Sequence, residues 1–333
     1  MGEGRLKIAQ VGLGSFGRKW MNVILRDGEW EYSAIATRND KAREVAGDCC
    51  GLPESARFSN FEEMLEHSKD TDAVLITTPY FMHTEQVLMS LSHMRHVLVE
   101  KPLCASLEEA QSIRDAVRDS RMTLMVAENY RFSPGSILMR DLISTGKIGE
   151  PEAIFIQYFV RHRFPESDWR NQYQYPLLVE NATHHFDMLR YITATEPVTV
   201  IGSAFGSRLT DHWEYPTVSA QYEMTGGLNA HFAGSWAYDG FRTPWEGIWR
   251  VHGTKGSILW DGDITISKGN TKQTIPVETF PPSHSLKKVL DEFMGALLEK
   301  RRPAIDIEDN IQTLRMVFCA IESMENMTRV TIA

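Results

Sequence analysis

From residue 5 to about residue 126, short apolar runs alternate with segments in which apolar residues recur every three or four positions. The runs Leu6–Val11, Tyr32–Thr37, Ala73–Thr77, His96–Val99 and Thr123–Ala127 are rich in Val, Ile and Leu and have the length of buried strands. Between them, Asp40–Ala46, Phe61–His67, Thr84–Leu91 and Ser106–Val117 carry the amphipathic spacing of helices. Asn39 or Asp40 and Ser106 are the expected N-caps, and Glu109, three residues beyond Ser106, completes a capping-box spacing. Alternation of this kind implies parallel strands joined by right-handed crossovers, an α/β, doubly wound sheet. Such sheets bind ligands beyond the carboxyl ends of their strands, where the strand order reverses.

Past residue 150 the pattern changes. Ala153–Val160, Val198–Ala204, Thr217–Met224, Leu228–Ser235, Gly247–His252 and Ser257–Trp260 have strand character with little helix between them. The boundary is expected near residue 126, giving domains 1–126 and 127–333. A chain of 333 residues agrees with two domains, and 42% apolar with 24% charged residues is the composition of a globular protein. No run approaches the roughly 18 apolar residues of a membrane span. The opening residues run into Leu6–Val11 without a long apolar stretch, so no secretory leader is expected. Cys49 and Cys50 are adjacent while Cys104 and Cys319 lie far apart, which reads as reduced thiols and a cytoplasmic location. A net charge of −9 without a Lys/Arg block argues against a nucleic-acid partner. Internal repeats, a Walker loop, a Gly-x-Ser-x-Gly elbow and a Cys-x-x-Cys pair are absent from the sequence.

The first chemical signal is Gly12-Leu13-Gly14-Ser15-Phe16-Gly17, placed between the first strand and the first helix. Gly12 permits a tight turn, Gly14 close approach of a pyrophosphate, and Gly17 close helix–sheet packing, while free N–H groups at the helix start face the anion. Such a site is expected to bind a dinucleotide. An acidic residue about 20 positions later would take the ribose hydroxyls of NAD. Counting from Gly17 reaches Thr37, Arg38 and Asn39 instead, and Arg38 suits the 2′-phosphate of NADP, so NADP is preferred and NAD is the alternative.

Two further segments extend the picture: Thr77-Thr78-Pro79-Tyr80-Phe81-Met82-His83 after one strand and Glu100-Lys101-Pro102 at the end of the next. Together with the glycine motif, in this order, they resemble the glucose–fructose oxidoreductase / inositol dehydrogenase (Gfo/Idh/MocA) family. Asn129-Tyr130-Arg131-Phe132, Gly146-Lys147-Ile148-Gly149, Gly253-Thr254-Lys255-Gly256 and Pro303-Ala304-Ile305-Asp306 through Ala320-Ile321-Glu322-Ser323 are similar to later family segments, so the likeness covers essentially the whole chain. It implies an N-terminal Rossmann domain and a C-terminal α/β domain with an open, mostly antiparallel sheet, the active site between them and a Lys-Pro peptide that is often cis. It also implies a sugar, cyclitol or related substrate oxidised or reduced at a ring carbon, and a homo-dimer or homo-tetramer built through the outer face of that sheet. Ser15, Phe16, Thr37, Thr78, Pro79, His83, Glu100, Lys101 and Asn129 then fall on the cofactor side with the three glycines. Tyr80 stands where relatives often carry Asn.

Glu180 to Tyr191 holds the second chemical cluster, with Phe186, Leu189 and Tyr191 as the apolar side of a helix. At helical spacing His184 lies near Asp187 and above Glu180. Relatives commonly show Asp-x-x-x-His here, so Glu180 stands where the Asp usually does, with a longer arm. The expected catalytic set is Lys101, His184 and Glu180. His184 has an ordinary pKa near neutrality and serves as base towards a carbinol hydroxyl. Lys101 stabilises negative charge on the same oxygen, and Glu180 orients the pair. Tyr130, Arg131 and Trp169 join them on the substrate side. No metal is expected, since His184 and His185 point apart on a helix and no second ligand pair follows. Arg161-His162-Arg163 reads either as an anion pocket or as a solvated loop. Trp213, Trp236, Trp249 and Trp260 are expected in the sheet core, while Trp169 and Trp245 are the candidates to stack on a sugar ring. A non-catalytic dinucleotide sensor and a nicotinamide-dependent glycosidase remain as alternatives to a dehydrogenase.

Overall fold

The computed structural model describes residues 5–210 and 213–332; the first four residues, part of the stretch on which the absence of a leader was read, lie outside them. The elements run β1 (Leu6–Val11), α1 (Ser15–Asp27), β2 (Trp30–Ala36), α2 (Asp40–Cys49), β3 (Arg57–Phe58), α3 (Phe61–His67), β4 (Ala73–Ile76), α4 (His83–Ser92), β5 (His96–Val99), α5 (Leu107–Ser120) and β6 (Leu124–Val126). They continue with α6 (Pro134–Ser144), β7 (Pro151–Phe159), α7 (Thr183–Thr193), β8 (Pro197–Phe205), β9 (Thr217–Met224), β10 (Asn229–Ser235), β11 (Ile248–Gly253), β12 (Gly256–Asp261), β13 (Asp263–Lys268), β14 (Thr271–Ile275), α8 (Pro282–Glu299), α9 (Ile307–Asn326) and β15 (Val330–Thr331).

Two compact units result. One runs to Asn129 and takes in Phe280–Ile311; the other holds Tyr130–Thr279 and resumes at Gln312. The first unit therefore recruits a C-terminal segment, an arrangement that a division into 1–126 and 127–333 does not contain. Packing explains the return. Phe293 of α8 is buried and stacks on Trp30 with ring centroids 5.9 Å apart, Lys287 pairs with Asp27 at 2.8 Å, and the Ile305 carbonyl accepts the Val126 N–H that would otherwise sit at the sheet edge.

In the first unit six parallel strands are ordered β3-β2-β1-β4-β5-β6. Every residue of β4 is buried, as expected for a strand covered on both faces. The expected caps form: Asn39 accepts the Ala42 N–H and Ser106 the Glu109 N–H. Glu109 reaches back to the N–H of Ala105, one residue before the cap.

In the second unit nine strands are ordered β14-β13-β12-β11-β7-β10-β9-β8-β15, with β7 and β10 parallel and the other neighbours antiparallel. Burial alternates along β9, so Val218, Ala220, Tyr222 and Met224 face inward. Phe186 of α7 meets Tyr222 and Phe232 edge-on within this core. Trp213, Trp236, Trp249 and Trp260 are buried here, while Trp245 is exposed. Helices α6, α8 and α9 lie outside the stretch of strands and were not among the expected elements.

Candidate active site

The strand order reverses between β1 and β4, and the glycine motif stands there. Gly12 has φ +87°, and a Cβ on it would lie 2.7 Å from the backbone carbon of Thr77. A Cβ on Gly17 would lie 2.2 Å from the Gly12 carbonyl oxygen, so side chains at these two positions would push the turn apart. Gly14 has open space around it. It N-caps α1 without a side-chain bond, and no acidic residue occupies the first turn. These observations fit an anion held by the N–H groups of Ser15, Phe16 and Gly17, so the loop suits a dinucleotide pyrophosphate.

Residues that the sequence reading passed over hold the loop in shape. Gln10 lies fully buried in β1 and donates to the carbonyls of Gly17 (2.9 Å) and Gly12 (3.2 Å), while its own oxygen accepts from Tyr32 at 2.6 Å. The Thr77 hydroxyl donates to the Val11 and Gly12 carbonyls. A glutamine inside an apolar strand was the available signal, because a buried amide must find partners.

At the end of β2, Thr37 is half-buried and its carbonyl accepts from Arg43 at 3.0 Å. Arg43 also binds Asp40 at 2.7 Å, so the carboxylate of this turn already has a counter-ion. Arg38 is exposed and makes no ion pair among the described residues.

Beyond β4, Thr78 donates its hydroxyl to Gln86 at 2.6 Å and precedes Pro79, both half-buried. His83, expected on the cofactor side, lies in the interior. It is 1% exposed, and its ring nitrogens lie 2.9 Å from the Pro102 carbonyl and 2.8 Å from the Thr78 carbonyl. Burial lowers its pKa to about 4, partly offset by those carbonyls, and the neutral ring donates to one of the two at a time. The Lys101–Pro102 peptide it supports is cis. Glu100 is buried and accepts from Trp20 Nε1 at 2.6 Å and from the Lys101 N–H at 3.2 Å. Asn129 is buried and donates to the Ser285 hydroxyl at 2.8 Å.

In the second unit a π-helical turn, Leu178–Ala182, leads into α7. Glu180 lies on it, so the regular spacing expected between Glu180 and His184 is interrupted; such turns recur at functional sites. His184 is buried and stacks flat on Tyr130, centroids 4.1 Å apart and planes within 5°. Glu180 has a cation that the sequence reading missed: Arg170 Nε lies 3.7 Å from its carboxylate. The same guanidinium covers the Trp169 ring at 4.2 Å and bonds Asp168.

Arg131, expected to touch substrate, is instead buried and donates to both oxygens of Asp187, at 2.5 and 2.7 Å. Asp187 also accepts from Thr313 at 3.3 Å, which ties α7 to α9. His185 lies among Tyr158, Phe232 and Tyr130, and burial lowers its pKa to about 3. Arg161, Arg163 and Arg242 gather on Asp239, at 2.5, 3.6 and 3.6 Å, which favours the loop reading over an anion pocket. Tyr191 is only half-buried and lies under Arg140 at 4.4 Å.

Comparison with known proteins agrees with this architecture. Residues 6–128 match the model of the GFO/IDH/MocA oxidoreductase family with its NAD-binding Rossmann fold, and residues 137–259 match the GFO/IDH/MocA C-terminal domain. The chain is similar to 1,5-anhydro-D-fructose reductase of Ensifer adhaerens, at 24% identity covering 91% of this chain and 92% of that one. It is similar to inositol 2-dehydrogenase of Rhizobium meliloti, at 23% identity over 98% and 99%. Among solved structures, an oxidoreductase from Agrobacterium radiobacter in complex with NAD+, L-tartaric acid and magnesium superposes with a TM-score of 0.90 at 20% identity, covering 99% of each chain.

Proposed function

The chain belongs to the Gfo/Idh/MocA oxidoreductase family, and on that premise we propose that it moves a hydride between a nicotinamide dinucleotide and a ring carbon of a sugar, cyclitol or sugar derivative. The observation that carries the reading is the open, uncapped glycine turn at the strand-order reversal, with Lys101 just past the end of β5, two strands away in the same sheet. When bound, the dinucleotide supplies the hydride donor or acceptor. The N–H groups after Gly14 bind its pyrophosphate, with Gly12 and Gly17 giving the turn its shape. Thr37 and Arg38 meet the adenosine ribose, and Thr78, Pro79, Glu100, Lys101 and Asn129 lie on the nicotinamide side. NADP is the preferred form, because Arg38 is uncommitted while Asp40, the carboxylate of that turn, is neutralised by Arg43.

In the oxidising direction His184 takes the hydroxyl proton of the reacting carbinol, and the Lys101 ammonium stabilises the charge that builds on that oxygen. In the reducing direction His184 returns the proton. Tyr130, stacked on the imidazole, fixes the plane in which His184 presents its nitrogen. Glu180 orients the substrate or the base, with Arg170 holding its carboxylate, and Trp169 offers an aromatic face to a sugar ring. A homo-oligomeric state and a cytoplasmic location belong to the same proposal.

The test is a panel of sugars, inositols, sugar phosphates and their keto forms, followed by nicotinamide absorbance with both cofactors. Turnover with net change of cofactor supports the proposal. Cofactor binding without turnover points to a sensor, and cleavage of glycosides without net cofactor change points to a glycosidase.

A further inference from the structure

Behind Lys101 the first unit buries two carboxylates that the proposed chemistry leaves without a proton-transfer role. Glu100 is 7% exposed and Glu128, just past β6, is 1% exposed. An ionised carboxylate survives burial only where donors and opposite charge compensate it. Glu100 has both. The fully buried indole of Trp20, on α1, donates to Oε1 at 2.6 Å, and the Lys101 backbone N–H donates to Oε2. The positive charge of Lys101 favours the ionised form, while Glu128 opposes it. On the α4 side, His83 feels the Lys101 charge and stays neutral, so it adds no second cation.

We propose that Glu100 is a positioning residue for Lys101: Trp20 steadies its carboxylate, the carboxylate holds the Lys101 backbone N–H where the chain turns into Pro102, and a proton taken up by Glu100 loosens that hold. This rests on the reading of Lys101 as the charge-stabilising cation. Burial places the midpoint of the switch near neutral pH, since it lifts the Glu100 carboxyl from 4.5 to about 7 against the pull of Lys101 and Trp20.

The experiment uses the cofactor-free protein, so it stands apart from any turnover. The indole N–H resonance of Trp20 is followed by NMR in protein carrying ¹⁵N-labelled tryptophan, with Trp20→Phe assigning that one signal among eight tryptophans. The signal should titrate with a midpoint near 7. Lys101→Met should raise the midpoint and Glu128→Gln should lower it. Glu100→Gln should abolish the titration. With a substrate in hand, Trp20→Phe should move the acid limb of the pH–rate profile upward, whereas a merely structural role would lower kcat equally at every pH. A Trp20 signal that is flat from pH 5 to 9, or a midpoint that Lys101→Met leaves in place, overturns the proposal. Absence of turnover alongside a normal titration overturns the assigned reaction instead.

Discussion

Acid should weaken the second unit through a histidine that the fold keeps neutral. His185 in the second unit has an ordinary value of 6.5 when unfolded and about 3 when folded. A lowered histidine pKa means that the unfolded chain binds the proton first, so stability present above pH 6.5 is lost as pH falls. Between 6.5 and pH 4.5 the unfolded histidine gains its proton over two pH units while the folded one gains almost none. At about 1.36 kcal/mol per unit the loss is on the order of 2–3 kcal/mol. In the first unit the shifts have both signs: His83, His96 and Glu292 are lowered, while Glu100 is raised. His83, with a folded value of about 4, costs roughly 2 kcal/mol over the same range. Glu100 has the opposite sign: its folded value of about 7 exceeds the unfolded 4.5, so the folded state binds its proton first and stability rises by about 3 kcal/mol as pH falls from 7.5 to 4.5. Urea unfolding of the wild type and of His185→Phe at pH 7.5 and 4.5 isolates the first quantity, because the packing cost of the substitution does not depend on pH. The wild type should lose about 2–3 kcal/mol more than the variant. Equal losses would refute the assignment of His185 as a buried neutral group.

Asp187→Asn leaves the Arg131 guanidinium buried without its counter-ion and should cost about 3–5 kcal/mol of stability in a calorimetric scan; a cost under about 1 kcal/mol, with KM raised instead, would return Arg131 to the substrate surface. Lys101→Met and His184→Ala should each lower kcat by about 10²–10⁴, with the circular dichroism spectrum unchanged. Only His184→Ala should also flatten the pH–rate profile near neutrality, and full activity in either variant removes that residue from the mechanism. Arg38→Ala should raise KM for NADPH far more than for NADH; an equal change for both would refute the cofactor preference.

The first sheet was legible because its strands are buried on both faces and read as continuous apolar runs, as Ala73–Ile76 does. Its glycine turn was legible because backbone geometry leaves little choice of residue at Gly12 and Gly17. The C-terminal strands showed through the alternation seen in Thr217–Met224. Helices α8 and α9 were missed although α8 carries Leu286, Val289, Leu290, Phe293 and Ala296 at helical spacing; the strand texture before them drew attention away. The roles of charged and polar residues were less legible than their presence. Arg131, Asp187 and His83 have the chemistry of ligand-binding groups, and only long-range partners such as Thr313 and Pro102 commit them to the framework. Arg170 beside Glu180 is ten residues away along the chain, with a turn between, and no periodicity predicts that pairing.

The central claim is hydride transfer to a ring carbon, and isotope labelling tests it most directly. Reduced nicotinamide cofactor carrying deuterium at its transferable position is incubated with the enzyme and the keto substrate that the panel identifies, and the product is analysed by mass spectrometry and NMR. One deuterium is expected, bonded to the carbon that was the carbonyl, in stoichiometric amount with cofactor oxidised. Product without deuterium, or deuterium released to water, would contradict it.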